Sequence, residues 1–363
     1  MSVQGRLNRI WYDDAVGQAA LMPLSWLYGR IVAARRRAFA AGRRQVTAVG
    51  CPVIIVGNLS VGGTGKTPLV AWLAWQLGAL GRKVGIASRG YGAAHRGAQQ
   101  VGPGADWRTF GDEPLLLQRR TGVPVVVDTD RVAAARRLVE LGVDVILCDD
   151  GLQHLRLARD FELVVIDGGR GLGNGRLLPA GPLREPASRL DTVDAVVING
   201  APKPGLRETL LRLGAPAPLC MRMVPAALEP VRGIGTRETP AEELAAQADG
   251  GGAGSALWGQ RLEDLHGARV HAVAGIGNPG RFFELLKSFG LDIVPHAFAD
   301  HHPFSARDLD LPGDLPILMT EKDAVRCAAF ANDRLACVPV TAQFSLEDAQ
   351  SLLVAVSTRC VKV

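Results

Sequence analysis

Residues 51 to 67 read C-P-V-I-I-V-G-N-L-S-V-G-G-T-G-K-T, and their reading decides the fold. Cys51 to Gly57 is a short β-branched run that stops at glycine, the pattern of a buried strand. A glycine-rich loop follows at once. Pro68 then stands just inside a helix whose Leu69, Leu73, Leu77 and Leu80 recur at helical spacing. Strand, glycine loop and helix in this order are the context a phosphate-binding loop requires. Glycines let backbone N–H groups close around phosphates, and the helix N-terminus adds its dipole. Ser60, Val61, Gly62, Gly63, Thr64, Gly65, Lys66 and Thr67 are therefore the expected nucleotide cradle. Ser60 replaces the first glycine of G-x-x-x-x-G-K-[ST], at the outer edge of the loop, where a small residue suffices. Lys66 is expected to reach the β and γ phosphates of ATP, and the Thr67 hydroxyl to ligate Mg2+.

A metal held by Thr67 needs an acidic element nearby. D144-V-I-L-C-D-D-G151 is a strand ending in two carboxylates, and L163-V-V-I-D167 ends in another. The first has the form of a Walker B strand, so Asp149 or Asp150 is the expected Mg2+ partner, directly or through water. The plainer role for one of the pair is a turn former or helix cap. K83-V-G-I-A-S-R-G-Y-G92 and V123-P-V-V-V-D128 read as further parallel strands. In open α/β sheets ligands bind beyond the carboxyl ends of the strands. Arg89, Tyr91, Asp112, Glu113, Arg131, Asp149, Asp150 and His154 are thus expected to converge on one crevice, the alternative for each being a solvated loop position.

The 363 residues suffice for two domains, and 47% hydrophobic with 21% charged residues is ordinary for a protein with a sizeable core. The net charge of +5 is unevenly placed: residues 1–50 carry eight arginines and no lysine against Asp13 and Asp14, so that segment is +6 and the remainder −1. A near-neutral body argues against a general nucleic-acid surface. The six cysteines form no C-x-x-C pair, which excludes a zinc knuckle and fits a reducing compartment. No feature asks for an obligate protein partner.

A15-V-G-Q-A-A-L-M-P-L-S-W-L-Y-G29 is too short, polar and proline-broken to span a bilayer, which takes about 20 apolar residues. Arg35, Arg36, Arg37, Arg43 and Arg44 follow it, the reverse of a signal peptide. One reading is an interfacial anchor: Leu21, Leu24, Trp26, Leu27, Tyr28 and Ile31 enter the lipid boundary and the arginines meet an anionic membrane surface. The other is a helix packed on the body with a solvated basic end.

A phosphate loop serves a switch as well as a transferase. Loops near G-K-G-G-x-G-K-T mark membrane-associated P-loop switch ATPases, but Val61 stands where those carry a signature lysine. A kinase needs a proton acceptor and cations around the moving phosphoryl group. In Phe110-Gly111-Asp112-Glu113-Pro114 two carboxylates precede a helix, so Asp112 is a candidate base, an N-cap, or both. D300-H-H-P-F304 is the second candidate, since imidazole can tune a carboxylate or relay its proton; the alternative is a polar turn before a helix near Ser305.

Regularity weakens after residue 200. T239-P-A-E-E-L-A-A-Q-A-D-G-G-G-A-G-S255 reads as an Ala/Gly-rich insertion. R269-V-H-A-V-A-G275 restarts a strand-loop-helix unit; its G-x-G-x-x-G match is a tight turn with Pro279 opening the next helix, not a second cofactor loop. L291-D-I-V-P-H296 and L315-P-I-L-M-T320 continue the alternation. T320-E-K-D323 reads as a strand end plus cap with a structural role. The fold class expected is α/β, P-loop NTPase-like, a mostly parallel sheet flanked by helices with a smaller C-terminal α/β part. The expected divisions are a docking segment at 1–50, a nucleotide core at 51–200, a variable region at 201–265 and a C-terminal part at 266–363 that completes the crevice.

Eight stretches together resemble the tetraacyldisaccharide 4′-kinases: N58-L-S-V-G-G-T-G-K-T67, S88-R-G-Y-G92, Gly111 to Pro114, D149-D-G-L-Q-H154, L178-P-A-G-P-L-R-E185, Gly275 to Pro279, D300-H-H-P-F304 and T320-E-K-D-A324. Each alone is weak, but their set and order are specific. The resemblance implies a peripheral enzyme on the cytoplasmic face of the inner membrane that moves the γ-phosphate of ATP to the 4′-hydroxyl of a lipid-linked disaccharide. It implies Asp112 as base, supported by His301, with Lys66 on the phosphates. Glu113, Asp149 or Asp150, Gln153 and Thr67 would surround Mg2+. Arg89, Arg131, His154 and Arg184 would contact phosphates or the disaccharide, with Tyr91 beside them. An acyl-chain substrate also favours the docking role for the N-terminal segment.

Overall fold

The computed structural model describes residues 3–12, 17–90, 97–102, 104–231 and 257–360. The first sheet is built, in chain order, from β1 (Val53–Gly57), β2 (Val84–Ser88), β3 (Gln99–Gln100), β4 (Val125–Val127), β5 (Val145–Asp149), β6 (Phe161–Asp167), β7 (Ala195–Asn199), β8 (Leu219–Pro225) and β14 (Val340–Phe344). Their spatial order is β14-β8-β7-β6-β1-β5-β2-β4-β3, parallel except where β3 and β14 pair at the two edges. The second sheet holds β9 (Glu229–Pro230), β10 (Arg269–Ala274), β11 (Asp292–Ala297), β12 (Ile317–Thr320) and β13 (Leu335–Val338), ordered β11-β10-β12-β13-β9 and parallel except for β9.

The helices are α1 (Val3–Tyr12), α2 (Gln18–Ala40), α3 (Lys66–Ala79), α4 (Trp107–Phe110), α5 (Asp112–Thr121), α6 (Arg131–Glu140), α7 (Leu206–Arg212), α8 (Pro279–Ser288), α9 (Glu321–Cys327) and α10 (Leu346–Cys360). Strand β1 shows why the sheet is central. It has parallel neighbours on both edges, β5 and β6, and its side chains alternate between two cores. Ile54 and Val56 pack with Leu69, Leu73 and Leu77 of α3; Val53 and Ile55 pack with Val132, Ala135 and Leu138 of α6. Leu80, which continues the apolar stripe in sequence, is the C-cap of α3 and lies exposed.

Residue 266 is not a clean division. The chain crosses to the second sheet at β9 and returns at β14, after which α10 lays Leu352, Val356 and Cys360 into the core of the first sheet. The Ala/Gly-rich stretch at 239–255 lies outside the described residues. Because Leu352 is fully buried under the nucleotide sheet, Leu352→Ala should cost about 2–5 kcal/mol. Urea unfolding at two wavelengths checks this; a loss below about 1 kcal/mol would show that α10 is peripheral.

Candidate active site

The phosphate loop is held from below by side chains that carry no charge. Asn58, fully buried, donates from Nδ2 to the Ser60 carbonyl at 2.7 Å and to the Gly62 carbonyl at 3.3 Å. Val61 N–H donates to the Pro182 carbonyl at 2.9 Å, and Ser60 bridges to Leu183, so the outer limb is fixed by backbone pairing and tolerates serine. At the far limb Asn199, ending β7, donates to the Thr64 carbonyl at 2.9 Å. Gly65 has a φ of +93°, and a Cβ there would lie 2.4 Å from Asn199 Nδ2, so glycine is required. Lys66 and Thr67 then open α3 with the N–H groups of its first turn facing the loop.

Lys66 Nζ lies 3.5 Å from Asp150 Oδ1. Asp150 adopts a φ of +51°, a left-handed conformation that Asp tolerates. Arg184 Nη1 donates to both of its oxygens, at 3.1 and 3.0 Å. Burial acts to raise the Asp150 carboxyl, yet the Lys66 and Arg184 charges outweigh it and hold the group well below the usual carboxylate range. Asp149, one residue earlier, is the contrast: it is 2% exposed and its Oδ1 has no partner among the described residues. Burial, with Glu113 beside it, pushes its pKa up to about 7. A buried carboxylate without a cation is costly. Asp149 is therefore the group that a divalent ion would complete, and the chemistry present fits one. No cluster of three His, Cys, Asp or Glu with metal-holding geometry occurs among the described residues. Mg2+ bound through phosphate oxygens, waters and one or two carboxylates needs none.

Asp112 and Glu113 begin α5, whose N-cap is Gly111, so Asp112 does not cap the helix; its Oδ1 accepts from the Glu113 N–H at 2.8 Å. Across the crevice α9 brings Arg326 onto Asp112 Oδ2, with Nε at 2.9 Å, and Lys322 onto Glu113. His301 Nδ1 lies 3.2 Å from the same Asp112 oxygen, at a backbone φ of +57°. A non-glycine residue there stores about 1–3 kcal/mol of strain, which often marks a functional position. His302 instead pairs with Asp308 at 3.4 Å and packs between Phe298 and Phe304. Burial tends to raise Asp112, but the His301 hydrogen bond and the Arg326 and Lys322 charges hold it well below the usual range. The bond to Asp112 in turn raises His301.

Gln153 donates from Nε2 to the Asn58 carbonyl at 3.3 Å and to Glu185 at 3.0 Å, bracing the loop from the other side. Arg131 is buried, donating to the carbonyls of Asp128 and Asp149 at 2.9 and 3.1 Å. It lines a cavity of about 290 Å³ with Arg35, Arg156 and His154. Burial and the charges of Arg131 and Arg89 lower His154 to about 4. Arg89 is exposed, and Tyr91 lies outside the described residues. The sequence reading missed Lys322, Arg326 and Arg281. Arg281, on α8, donates to Asp167 at 3.0 Å and to Asn199 at 3.2 Å. A signal for the first two existed: Lys322 and Arg326 are four apart, hence on one face of a helix.

The family model described as tetraacyldisaccharide-1-P 4'-kinase matches residues 17–358. The chain belongs to this family. A tetraacyldisaccharide 4'-kinase of Ectopseudomonas mendocina is 47% identical over 343 residues, covering 91% of this chain and 90% of that one. One from Alkalilimnicola ehrlichii is 48% identical over 325 residues, covering 89% and 88%. The solved structure of LpxK from Aquifex aeolicus in complex with ATP superposes with a TM-score of 0.69 at 27% identity, covering 93% of this chain and 98% of that chain. Family membership sets aside the switch-ATPase expectation.

The lone carboxyl of the kinase has a pH signature. A carboxyl raised by folding binds its proton more tightly in the folded than in the unfolded state. Its contribution to stability is thus full below about 3.9 and is lost as pH rises through about 7. In chelator-treated, nucleotide-free protein, Asp149→Asn should gain melting temperature over wild type as pH goes from about 5 to 8. A difference that stays flat with pH would show Asp149 to be already compensated.

Proposed function

We propose that the crevice between the two sheets transfers the γ-phosphate of ATP to the 4′-hydroxyl of a tetraacyldisaccharide 1-phosphate lipid, with Asp112 as proton acceptor. The observation that carries this reading is the Asp112–His301 contact at 3.2 Å, which joins a carboxylate on the first sheet's side to an imidazole on the second. The acceptor O–H breaks and its proton passes to Asp112 as the oxygen bonds to the γ-phosphorus. The bond to the β–γ bridging oxygen breaks, and ADP leaves with that electron pair. Such a transition state is loose, so a base held ionised by its neighbours suffices.

The amides from Ser60 to Thr67 cradle the triphosphate, and Lys66, freed from Asp150, offsets its charge. Mg2+, when bound, would supply positive charge against the triphosphate. Thr67, Glu113 and Asp149 are the residues that would hold it, with Asp150 and Gln153 around them. Arg184, Arg131, Arg89, His154 and Tyr91 take the substrate side. The first 50 residues dock the protein, residues 51–200 hold the nucleotide, 201–265 vary, and the part of 266–363 that precedes β14 supplies the second wall.

The N-terminal helix supports placement as a peripheral protein on the cytoplasmic face of the inner membrane, without an obligate protein partner. One face of α2 is tied down: Ser25 Oγ donates to the Leu177 carbonyl and Tyr28 OH to that of Arg184, both at 2.8 Å. The other face leaves Met22, Leu24, Trp26, Leu27 and Ile31 exposed, with Arg30, Arg35 and Arg37 alongside. No helix among the described residues is long and apolar enough to cross a membrane.

With labelled ATP and the disaccharide lipid in detergent, Asp112→Asn should lower label transfer about 10²-fold or more at unchanged ATP affinity. Label transfer near the wild-type rate would remove Asp112 from the chemistry. In co-sedimentation with vesicles containing anionic lipid, Trp26→Glu/Leu27→Glu should weaken binding by more than about tenfold, and added salt should weaken the wild type. Equal sedimentation of variant and wild type would reject the docking helix.

A further inference from the structure

Arg326 enters the roles above only through its charge on Asp112, yet it is the most enclosed cation in the crevice, at 1% exposure. Its Nε and Nη2 both donate to Asp112 Oδ2, and its Nη1 donates to the Gly275 carbonyl at 3.0 Å and to Asp323 Oδ1 at 3.2 Å. Asp323, fully buried, is itself fixed: its Oδ2 accepts from Gly275 N–H at 3.0 Å and from Thr320 Oγ1 at 2.6 Å. The Gly275 carbonyl also accepts the His301 N–H at 3.2 Å. One guanidinium thus references the carboxylate, and the backbone of the histidine beside it, to the same strand end.

The two oxygens of Asp112 are then unequal. Oδ2 receives Arg326 Nε and Arg326 Nη2, one donor for each lone pair, and His301 Nδ1 lies 3.2 Å from the same oxygen. Oδ1 receives only the Glu113 N–H among the described residues and keeps a lone pair. A purely structural pin between α5 and α9 is already present in Arg120–Glu321 at 3.1 Å and in Lys322–Glu113. Arg326 also has Asp323 as a counter-ion without Asp112. We propose that Arg326 is a positioning residue for phosphoryl transfer, which saturates Oδ2 of Asp112 and turns Oδ1 toward the acceptor hydroxyl as the atom that takes its proton. This rests on the reading of Asp112 as the base.

The test measures kcat and KM for Arg326→Met, Arg326→Lys, Asp112→Asn and the double variant Asp112→Asn/Arg326→Met, with melting temperatures and binding of a fluorescent ATP analogue. Arg326→Met should lower kcat by about 10²-fold with KM for ATP within about threefold. Arg326→Lys should recover part of the loss, since an ammonium keeps the charge but not the two-pronged donor. In the Asp112→Asn background, removing Arg326 should cost less than about threefold more, because the two act as one unit. An equal loss in both backgrounds, or wild-type kcat in Arg326→Met, overturns the proposal while leaving Asp112 as base. Wild-type kcat in Asp112→Asn takes down both. If Arg326→Met does not fold, Arg326→Lys decides, and a wild-type kcat there overturns the proposal.

Discussion

The structure depends on keeping Asp112, Glu113, Asp149 and Asp150 together in one crevice. Two like charges 4 Å apart cost about 4 kcal/mol at the effective dielectric of a protein surface, so the cluster stands only where cations interleave it. Lys66 and Arg184 serve Asp150, Lys322 serves Glu113, and Arg326 serves Asp112. Asp149 makes no ion pair among the described residues, and burial with Glu113 beside it outweighs the Lys66 and Lys322 charges and pushes its pKa up to about 7.

That distribution binds the two sheets into one site. Each sheet alone is incomplete: the first supplies the loop, the carboxylates, Lys66 and Arg184, and the second supplies Lys322, Arg326 and the imidazole. Arg281 reaches Asn199, which in turn holds the Thr64 carbonyl, so a helix of the second sheet is linked to the phosphate loop through one amide side chain. The turn at Gly277 comes close as well, since a Cβ there would lie 3.1 Å from Asp300 and 3.9 Å from Gly63 N. Buried ion pairs are weak evidence for stability, because desolvation offsets their attraction. Their use here is to fix where one sheet sits on the other and which atom of each carboxylate stays available.

The nucleotide half was legible because its signals are local. The β-branched runs ending at Gly57, Asp149 and Asp167 became β1, β5 and β6 within about two residues at either end. Loop chemistry from Ser60 to Thr67 depends on backbone freedom and one helix start, both written in neighbouring residues. The T-E-K-D turn misled for the opposite reason. Thr320 does cap α9, accepting from Asp323 N–H at 3.3 Å, so the local reading is correct and stops short of the role. Nothing near residue 326 in sequence indicates a partner at residue 112. The return of β14 and α10 to the first sheet was hidden likewise, since an amphipathic helix does not say which core it covers.

The sequence by itself determined the phosphate loop, the parallel strands that carry it, and the list of ionisable side chains near their ends. These follow from periodicity, glycine placement and helix starts, interactions that reach only a few residues along the chain. Tertiary structure decided which imidazole of the His-His pair meets Asp112, which carboxylate of the Asp-Asp pair is left with an unpartnered oxygen, and which cations cross between the sheets. Those choices turn on ångström-scale distances between segments up to 214 positions apart. Coulomb and desolvation energies fall steeply with such distances, whereas composition and spacing do not encode them.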